Sequence, residues 1–414
     1  MYWANFIHIY QPPTQRLDVL ARIVEECYRP LVALLRRHPQ ARLTVNISGS
    51  LTELLADHGY RDVLDGLRAL GEAGQIEFVA SAMYHPILPL IPRHQIVRQI
   101  QLNSDVNRKY LGDAYCPQGF FPPEMAYNFE VADIAVDMGY RWLLLDEIAC
   151  PSPLRRDAVY RHADKPALRL LFRERGASDG IGFGRFPSGA AFLEGLGEAV
   201  RSEGYVLTAT DGEVYGHHRP GQERLLEEVY ASDAVRTCTL SQLLELFPDA
   251  GAVSPRECSW ASHEDELQAG NPYALWSHPG HQLHDLQWRL VQLGLFAVGT
   301  ACPDIRRYPR AQKLMDQGLH SCQFWWASCR PWWDKDMVLR GAHLVVEAIK
   351  GLGKDFSETV IAAECFYEEL EVMCDEWQSE GHAARLAQEY LARHSGVEPG
   401  VLTFATGDQG VAEG

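Results

Sequence analysis

The sequence has little positive charge, no long apolar run and no paired-cysteine pattern, and each absence excludes a class of protein. Lysine and arginine number 38 against 55 aspartates and glutamates, so the formal net charge is -17 at pH 7. Nucleic acids and anionic membranes require a basic surface, so neither is expected as a partner. No apolar run is long enough to span a bilayer. A neutral substrate fits this charge balance better than a polyanion.

The cysteines and the first residues indicate a reducing environment. The ten cysteines include no Cys-x-x-Cys pair, and the spacing of Cys322 and Cys329 is not that of a usual zinc site. Residues 1–9, MYWANFIHI, contain neither the basic start nor the cleavage site of a signal peptide and indicate a strand instead. We therefore expect reduced thiols and a cytoplasmic location.

Short apolar runs alternate with longer amphipathic stretches through the first 250 residues. The seven candidate strands are NFIHIY, RLTVNI, IEFVAS, GFF, RWLLLD, LRLLF and YVLTAT. This alternation is typical of βα units built around a parallel sheet. Seven strands over this length predict a barrel, complete or incomplete, rather than a small open sheet.

The pattern becomes helical from about residue 260. Four amphipathic stretches follow, HQLHDLQWRLVQLGLFAVG, YPRAQKLMDQGLHSCQFWWA, DMVLRGAHLVVEAIKGL and SETVIAAECFYEELEVMCDEW, and they predict a helical bundle. The chain ends in a glycine-rich segment with one short apolar run. We predict an α/β barrel domain over 1–255, a helical bundle over 256–395 and a flexible tail over 396–414.

Polar residues directly after the candidate strands indicate where chemistry could occur, because reactive groups of parallel barrels collect at the carboxyl ends of the strands. In chain order they are His8, Tyr10, Gln11, Asn46, Ser48, Tyr84, His85, Glu124, Asp146, Glu147, Arg173, Asp179, Asp211, Glu213, His217 and His218. Several carboxylates on one rim suit cleavage of a glycosidic bond. One group attacks the anomeric carbon or stabilises its charge, and another protonates the departing oxygen.

Each of these residues also has a simpler explanation when taken alone. Glu124 could be a first-turn acid that the helix dipole favours. Asp211 begins an Asp-Gly pair, which is common in turns. Gln11 precedes two prolines that could merely end a strand. Only the combination of such residues favours catalysis over these alternatives.

Two groups in the helical part invite a binding interpretation. His278, His281 and His284 recur every three residues, but helical spacing places the first and last well apart around the axis, and Pro279 suggests a helix start. We therefore expect no metal ion and no other cofactor. The run FWWASCRPWW over 324–333 suits either core packing or a sugar platform, with about half of its tryptophans buried.

Read in order, the motifs resemble those of glycoside hydrolase family 57, which comprises α-glucan-active amylases, amylopullulanases, 4-α-glucanotransferases and branching enzymes. They are HIYQPP at 8–13, GQIE at 74–77, YHPILPLI at 84–91, FFPPEMAY at 120–127, FRERGASDGIGF at 172–183 and DGEVYGHH at 211–218. Weaker matches are ECSWASHEDE and NPYALWSHPGHQLHDLQW, so the resemblance covers roughly residues 1–300. Each motif alone is weak, but their order is specific.

The resemblance implies an incomplete (β/α)7 barrel followed by a helical region, and a retaining enzyme acting on an α-glucan or maltooligosaccharide. Glu124 matches the nucleophile and Asp211 the general acid/base. That role requires a raised pKa, which burial or a nearby carboxylate such as Glu213 could supply. The residues implied to bind substrate are His8, Gln11, Glu77, His85, Asp179 and His218, with Trp260 and Trp276 stacking on glucose rings.

The sequence departs from the family pattern at Tyr10, where many members have a second histidine. Because the chain lacks obvious extra domains for branch transfer, we expect an amylase-like hydrolase, with transglycosylation as a possible second outcome. Two alternatives stay open. One is a metal-dependent polysaccharide deacetylase or mannosidase-like enzyme that would use His8, Asp211 and the His217–His218 pair. The other is a non-catalytic glucan-binding protein. The sequence does not indicate an oligomeric state.

Overall fold

A computed structural model describes residues 1–304 and 306–393 of the chain. The protein divides into two compact units between Leu267 and Gln268, whereas the sequence places this boundary at residue 255. The predicted tail, 396–414, lies outside the described residues. Within the described ranges, every helix is too short or too polar to cross a membrane.

The first unit contains all seven predicted strands and three that were not predicted. The strands are β1 (Tyr2–Ile9), β2 (Leu43–Ile47), β3 (Ile76–Phe78), β4 (Gly119–Phe120), β5 (Trp142–Asp146), β6 (Val159–His162), β7 (Arg169–Arg173), β8 (Tyr205–Asp211), β9 (Arg236–Cys238) and β10 (Asp249–Val253). The unpredicted strands are β6, β9 and β10. Strand β6 runs antiparallel to β7, and β10 pairs with β6 at the outer edge of the sheet.

The helices of the first unit fill the connections between strands. They are α1 (Leu17–Ile23), α2 (Arg29–Arg37), α3 (Gly49–Asp57), α4 (Arg61–Glu72), α5 (Arg93–Leu111), α6 (Phe129–Asp137), α7 (Arg175–Gly182), α8 (Gly189–Gly195), α9 (Glu223–Tyr230), α10 (Leu240–Leu246) and α11 (Glu264–Gln268). A π-helical turn over Val24–Tyr28 joins α1 to α2. Side chains of Ser48, Asn128 and Thr239 cap α3, α6 and α10, which explains why these helices begin where they do.

Seven parallel strands follow one another around a curled sheet in the order β8-β1-β2-β3-β4-β5-β7. Regular ladders join β8 to β1 to β2 to β3, and β4 to β5 to β7. Between β3 and β4 the pairing shrinks to one bridge, Ala80 with Phe120. Between β7 and β8 the main-chain N–H of Glu174 donates to the carbonyl of Leu207 at 2.8 Å. The fold is therefore the predicted incomplete (β/α)7 barrel.

Alternation along the strands decides which side chains enter the barrel. Phe6 of β1 and Leu207 of β8 belong to the buried cluster inside the barrel, whereas Ile7 packs in a second cluster under the outer helices. Since successive side chains of a strand point to opposite faces, His8 and Asp211 continue the inward rows. Both residues lie at the carboxyl end of their strands and pair in register. The apolar alternation of β1 and β8 therefore places the polar side chains of His8 and Asp211 together at the carboxyl-end rim of the barrel.

The second unit is helical over its described part. Its helices are α12 (Gln282–Thr300), α13 (Tyr308–Gln317), α14 (Cys322–Trp325), α15 (Lys335–Lys350), α16 (Ser357–Ser379) and α17 (His382–Arg393). The prediction of a bundle is confirmed, although one predicted stretch splits into α13 and α14, and α17 was not predicted. Gly294 allows α12 to approach α15, because a Cβ there would lie 2.6 Å from a methyl carbon of Val345.

Candidate active site

Glu124 occupies a strained turn immediately after β4. Pro122 and Pro123 lead into it, and the backbone then takes positive φ angles of 59° at Glu124 and 49° at Met125. Residues with a Cβ seldom adopt this left-handed conformation, which costs about 1–3 kcal/mol each and is concentrated at functional sites. The Glu124 side chain is 18% exposed, so it is accessible but enclosed on most sides.

Trp260 holds Glu124 through both its side chain and its main chain. The indole Nε1 donates a hydrogen bond to Glu124 Oε2 at 2.6 Å. The main-chain N–H of Trp260 donates to the carbonyl of Glu124 at 3.0 Å. On the other carboxylate oxygen, His85 Nδ1 lies 3.6 Å from Oε1. A neutral N–H aimed at a carboxylate stabilises its charge and fixes its direction.

A stack of three rings forms one wall beside Glu124. The ring centroid of His85 lies 4.2 Å from that of Tyr10 and 4.8 Å from that of His8. His85 itself has a positive φ of 59°. The Trp260 ring meets His8 edge-on at 6.3 Å. The structure therefore brings together four predicted site residues, three that follow or end strands and Trp260 from the segment after β10, and Tyr10 completes their wall.

Hydrogen bonding fixes the tautomer of His8. Asn46 donates through Nδ2 to the carbonyl of Val79 at 3.1 Å, so its Oδ1 is an acceptor. His8 Nδ1 lies 2.7 Å from this oxygen and must carry the proton. Burial lowers the pKa of His8 to about 4, which keeps the ring neutral. Its Nε2 is then a buried acceptor with no hydrogen-bond donor among the described residues.

Asp211 ends β8 in register with His8. Burial raises the pKa of Asp211 to about 6, and the positive charge of Arg173 opposes that rise. Of the two causes that the sequence offered for a raised pKa of Asp211, burial is the one that acts here, and Glu213 is not. Asp211 instead affects Glu213: burial, and after it the charge of Asp211, raise the pKa of Glu213 to about 7.

Gln11 lies beside the site but is engaged with the protein. Its Nε2 donates to Glu213 Oε1 at 3.1 Å and to the Tyr28 hydroxyl at 3.3 Å, and its Oε1 accepts from Gln15 at 2.7 Å. The Tyr28 hydroxyl donates to the same oxygen of Glu213. In this arrangement Gln11 supports Glu213, which differs from the predicted contact with substrate.

Asp179 and His218 occupy the periphery of the same rim. Asp179 Oδ1 accepts from Arg173 Nη2 at 3.2 Å. The main-chain N–H of His218 donates to the carbonyl of Glu213 at 2.7 Å, and burial lowers the pKa of His218 to about 4. Sequence reasoning placed Arg173 and Asp146 at strand ends and offered Asp146 only a capping role; Asp146 does cap the turn that follows, by accepting from the Ile148 N–H, and it also forms a buried ion pair with Arg173.

The structure does not bring Glu77 to this group. Glu77 pairs in register with Thr44, at the level of Phe6 and two residues before His8 along the barrel. Its carboxylate accepts hydrogen bonds from the main chain and hydroxyl of Ser241, at the start of α10. The predicted contact with substrate is therefore replaced by a helix-anchoring role.

Trp276 also requires a correction. Its side chain is 0% exposed, and it belongs to the second unit, where its carbonyl accepts from the Trp288 indole at 2.9 Å. A ring without accessible surface cannot stack on a sugar. In the run 324–333 Phe324 is buried, and all four tryptophans are partly exposed rather than half of them buried.

The three histidines considered as metal ligands, His278, His281 and His284, contact one another. His281 and His284 stack with ring centroids 4.1 Å apart, and His284 Nε2 lies 2.9 Å from the carbonyl of Phe324. Over residues 1–304 and 306–393, no group of three or more His, Cys, Asp or Glu side chains is arranged to hold a metal ion.

We compared the chain with known protein families. The family model described as glycosyl hydrolase family 57 matches residues 4–255. The chain belongs to this family. The match covers the barrel from residue 4, within β1, onward and includes His8, the turn of Glu124 and the end of β8 with Asp211.

A curated family relative resembles part of the chain. Alpha-amylase 1 of Dictyoglomus thermophilum is 31% identical over 149 residues, which are 36% of this chain and 21% of that protein. The chain thus matches about a fifth of the length of this relative.

Solved structures of the family share the fold. The 4-alpha-glucanotransferase of Thermococcus litoralis superposes with a TM-score of 0.69 at 19% identity, covering 84% of this chain and 59% of that one. The family 57 branching enzyme of Pyrococcus horikoshii superposes with a TM-score of 0.65 at 16% identity, covering 89% and 94%. At these identities the likeness concerns the fold alone.

Proposed function

We propose that the protein is a retaining, amylase-like glycosidase acting on α-glucans, with Glu124 as nucleophile and Asp211 as general acid/base. The observation that carries this proposal is the contrast between the two carboxyl groups. Glu124 receives an indole N–H that stabilises its charge, while burial favours the protonated form of Asp211. Retaining glycosidases need this difference, since one carboxylate must attack while the other acid donates a proton.

The reaction proceeds in two steps. In the first, a Glu124 oxygen bonds to the anomeric carbon, the glycosidic bond breaks, and the Asp211 proton passes to the departing oxygen. In the second, ionised Asp211 takes a proton from water or an acceptor hydroxyl, whose oxygen displaces Glu124 from the anomeric carbon. Two inversions leave the original configuration. Water as acceptor gives hydrolysis, and a sugar hydroxyl gives transglycosylation.

The residues around Glu124 suit a sugar in this position. His8 Nε2 is a buried acceptor that a substrate hydroxyl would satisfy, which recovers the energy lost by leaving it unpaired. We assign a similar substrate-binding role to His85. Asp179 and His218 would act from the periphery.

The substrate class follows from relatives. Curated proteins that match this chain are named alpha-amylase and 4-alpha-glucanotransferase, which supports an α-glucan or maltooligosaccharide as substrate. A cytoplasmic location is also proposed, because all ten cysteines are free thiols, as expected in a reducing compartment.

The test is product analysis with maltoheptaose and glycogen. We expect shorter maltooligosaccharides from the wild-type protein, with the α-anomer formed first in a proton NMR time course. Glu124→Gln should lower kcat at least about 1,000-fold while substrate binding persists. Glu130→Gln is the matched control, because Glu130 is partly exposed on α6 and its substitution should leave turnover unchanged.

Azide separates the two catalytic roles. In Glu124→Ala, azide should replace the nucleophile and give a β-glycosyl azide. In Asp211→Ala, azide should attack the glycosyl-enzyme and give an α-glycosyl azide. A β-anomer as first wild-type product, or undiminished turnover by Glu124→Gln, would contradict the proposal. Binding without any product would favour the non-catalytic alternative.

A further inference from the structure

Arg173 contacts both the segment that holds Glu124 and the strand that carries Asp211. It is the last residue of β7, and its guanidinium is buried. Nε donates to Asp146 Oδ2, and Nη1 donates to the carbonyl of Ala209 at 3.2 Å. Nη2 lies within 3.2 Å of Asp179 Oδ1 and 3.4 Å of the Trp260 carbonyl. One side chain thus links β5, β8, α7 and the segment that carries Trp260.

On the Glu124 side, the connection runs through Trp260. The guanidinium carbon of Arg173 lies 5.4 Å from the centroid of the Trp260 ring, within cation–π range. Arg175 adds a hydrogen bond to the Trp260 carbonyl at 2.9 Å and an ion pair to Asp146 at 3.0 Å. Because Trp260 donates two hydrogen bonds to Glu124, the position of that carboxylate depends on this framework.

On the Asp211 side, Arg173 acts on both the strand and the charge. Ala209, which accepts its hydrogen bond, precedes Asp211 by two residues on the same inward row of β8. The titratable groups that pair with Asp211 or interact with its charge include His8 on β1, Arg173 on β7 and Glu213 in the turn that follows β8. Of these, His8 is neutral and Arg173 is a permanent cation.

We propose that Arg173 is a positioning residue for the reaction, holding the tryptophan that clamps Glu124 and placing a fixed positive charge against the strand that carries Asp211. This inference rests on the proposed function. An ion pair that served folding alone would need only Asp146, whose side chain is 0% exposed. The further bonds to Ala209 and Trp260 require the planar fork of arginine, which lysine cannot reproduce.

The charge and the fork can be separated by mutation. Arg173→Lys keeps the charge and loses the fork, so kcat for maltoheptaose should fall about 10–100-fold with KM changed less. The alkaline limb of kcat/KM, which reports the Asp211–Glu213 pair, should stay near its wild-type position. Arg173→Gln loses both features. Without the cation the protonated form of Asp211 is favoured, so the alkaline limb should move up by about 0.5–1 pH unit or more.

Controls keep the test decisive. Arg173→Gln leaves Asp146 buried without its main partner, so the double variant Asp146→Asn with Arg173→Gln provides a second protein if the single variant fails to fold. Arg169→Gln, at the opposite end of β7 and paired to Asp249 at 2.7 Å, should leave kcat and the pH limb unchanged.

Two outcomes are distinguishable. If wild-type protein converts maltoheptaose but folded Arg173→Lys has wild-type kcat, or the limb of the folded glutamine variants does not move, the role of Arg173 is overturned while the proposed function stands. If wild-type protein converts neither maltoheptaose nor glycogen, the proposed function fails, and this inference fails with it.

Discussion

Replacing Asp211 by asparagine should make the barrel more stable at alkaline pH. Burial raises the pKa of this carboxyl from 3.8 to about 6, which means that the folded protein binds a proton there more tightly than the unfolded chain does. The stability that this group contributes is complete below about pH 4 and is lost as pH rises through about 6. Asparagine keeps the shape of the side chain and removes the charge, so it avoids that loss.

The magnitude follows from the shift of about two pKa units. At about 1.4 kcal/mol per unit, the free energy of unfolding of the wild-type protein should be about 3 kcal/mol lower at pH 8 than it would be with the charge absent. For a unit of this size, that corresponds to a rise of about 5 °C in Tm for Asp211→Asn at pH 8. At pH 4 the two proteins should differ little, because the carboxyl is protonated in the folded state.

The assay is thermal unfolding of wild-type protein and Asp211→Asn, followed by circular dichroism at pH 4 and pH 8. Asp157→Asn is the control, since the hydrogen bond from Arg155 lowers the pKa of exposed Asp157, and its loss should not stabilise the fold at pH 8. The reasoning is refuted if Asp211→Asn is no more stable than wild type at pH 8. It is also refuted if the gain is the same at both pH values, because a packing effect would not depend on pH.

Two further substitutions test contacts of tryptophans. Trp260→Phe keeps an aromatic ring but removes the N–H that donates to Glu124 at 2.6 Å. Because a hydrogen bond to a charged group contributes roughly 1.5–3 kcal/mol, kcat/KM for maltoheptaose should fall about 10–100-fold. An unchanged kcat/KM would show that Trp260 does not act in the site. Trp276→Ala should lower the free energy of unfolding by about 3–5 kcal/mol in a denaturant titration, because the Trp276 ring is fully buried. Unchanged stability together with weaker glucan binding would instead support stacking of Trp276 on a glucose ring.

The barrel strands were predictable because their burial leaves a direct trace. Strands such as β2 and β5 are buried along their whole length and consist mostly of apolar residues. Strand β10, DAGAV, was missed because it is partly exposed and contains residues that are depleted in strands. The π-helical turn was missed because the amphipathic pattern runs through it without interruption.

The site was predictable only as far as strand ends determine it. His8, His85, Glu124 and Asp211 each follow or end a strand, and parallel strands bring these ends to one rim. Glu77 and Trp276 lie outside the candidate site, because strand register and burial are tertiary properties that a motif does not encode. The role of Arg173 was missed for the same reason, since its four partners are separated by up to 114 residues, from Asp146 to Trp260.

The left-handed turn at Glu124 has a consequence for protein engineering. A glycine at this position would adopt the observed φ of 59° without steric cost, so the backbone itself favours a residue that has no carboxylate. Asp211 presents the same conflict through its charge. A redesign guided only by stability would place glycine at 124 and asparagine at 211, and it would yield a more stable barrel without either of the two carboxyl groups proposed to react. Positions where the fold favours another residue are therefore the ones that such a redesign should leave untouched.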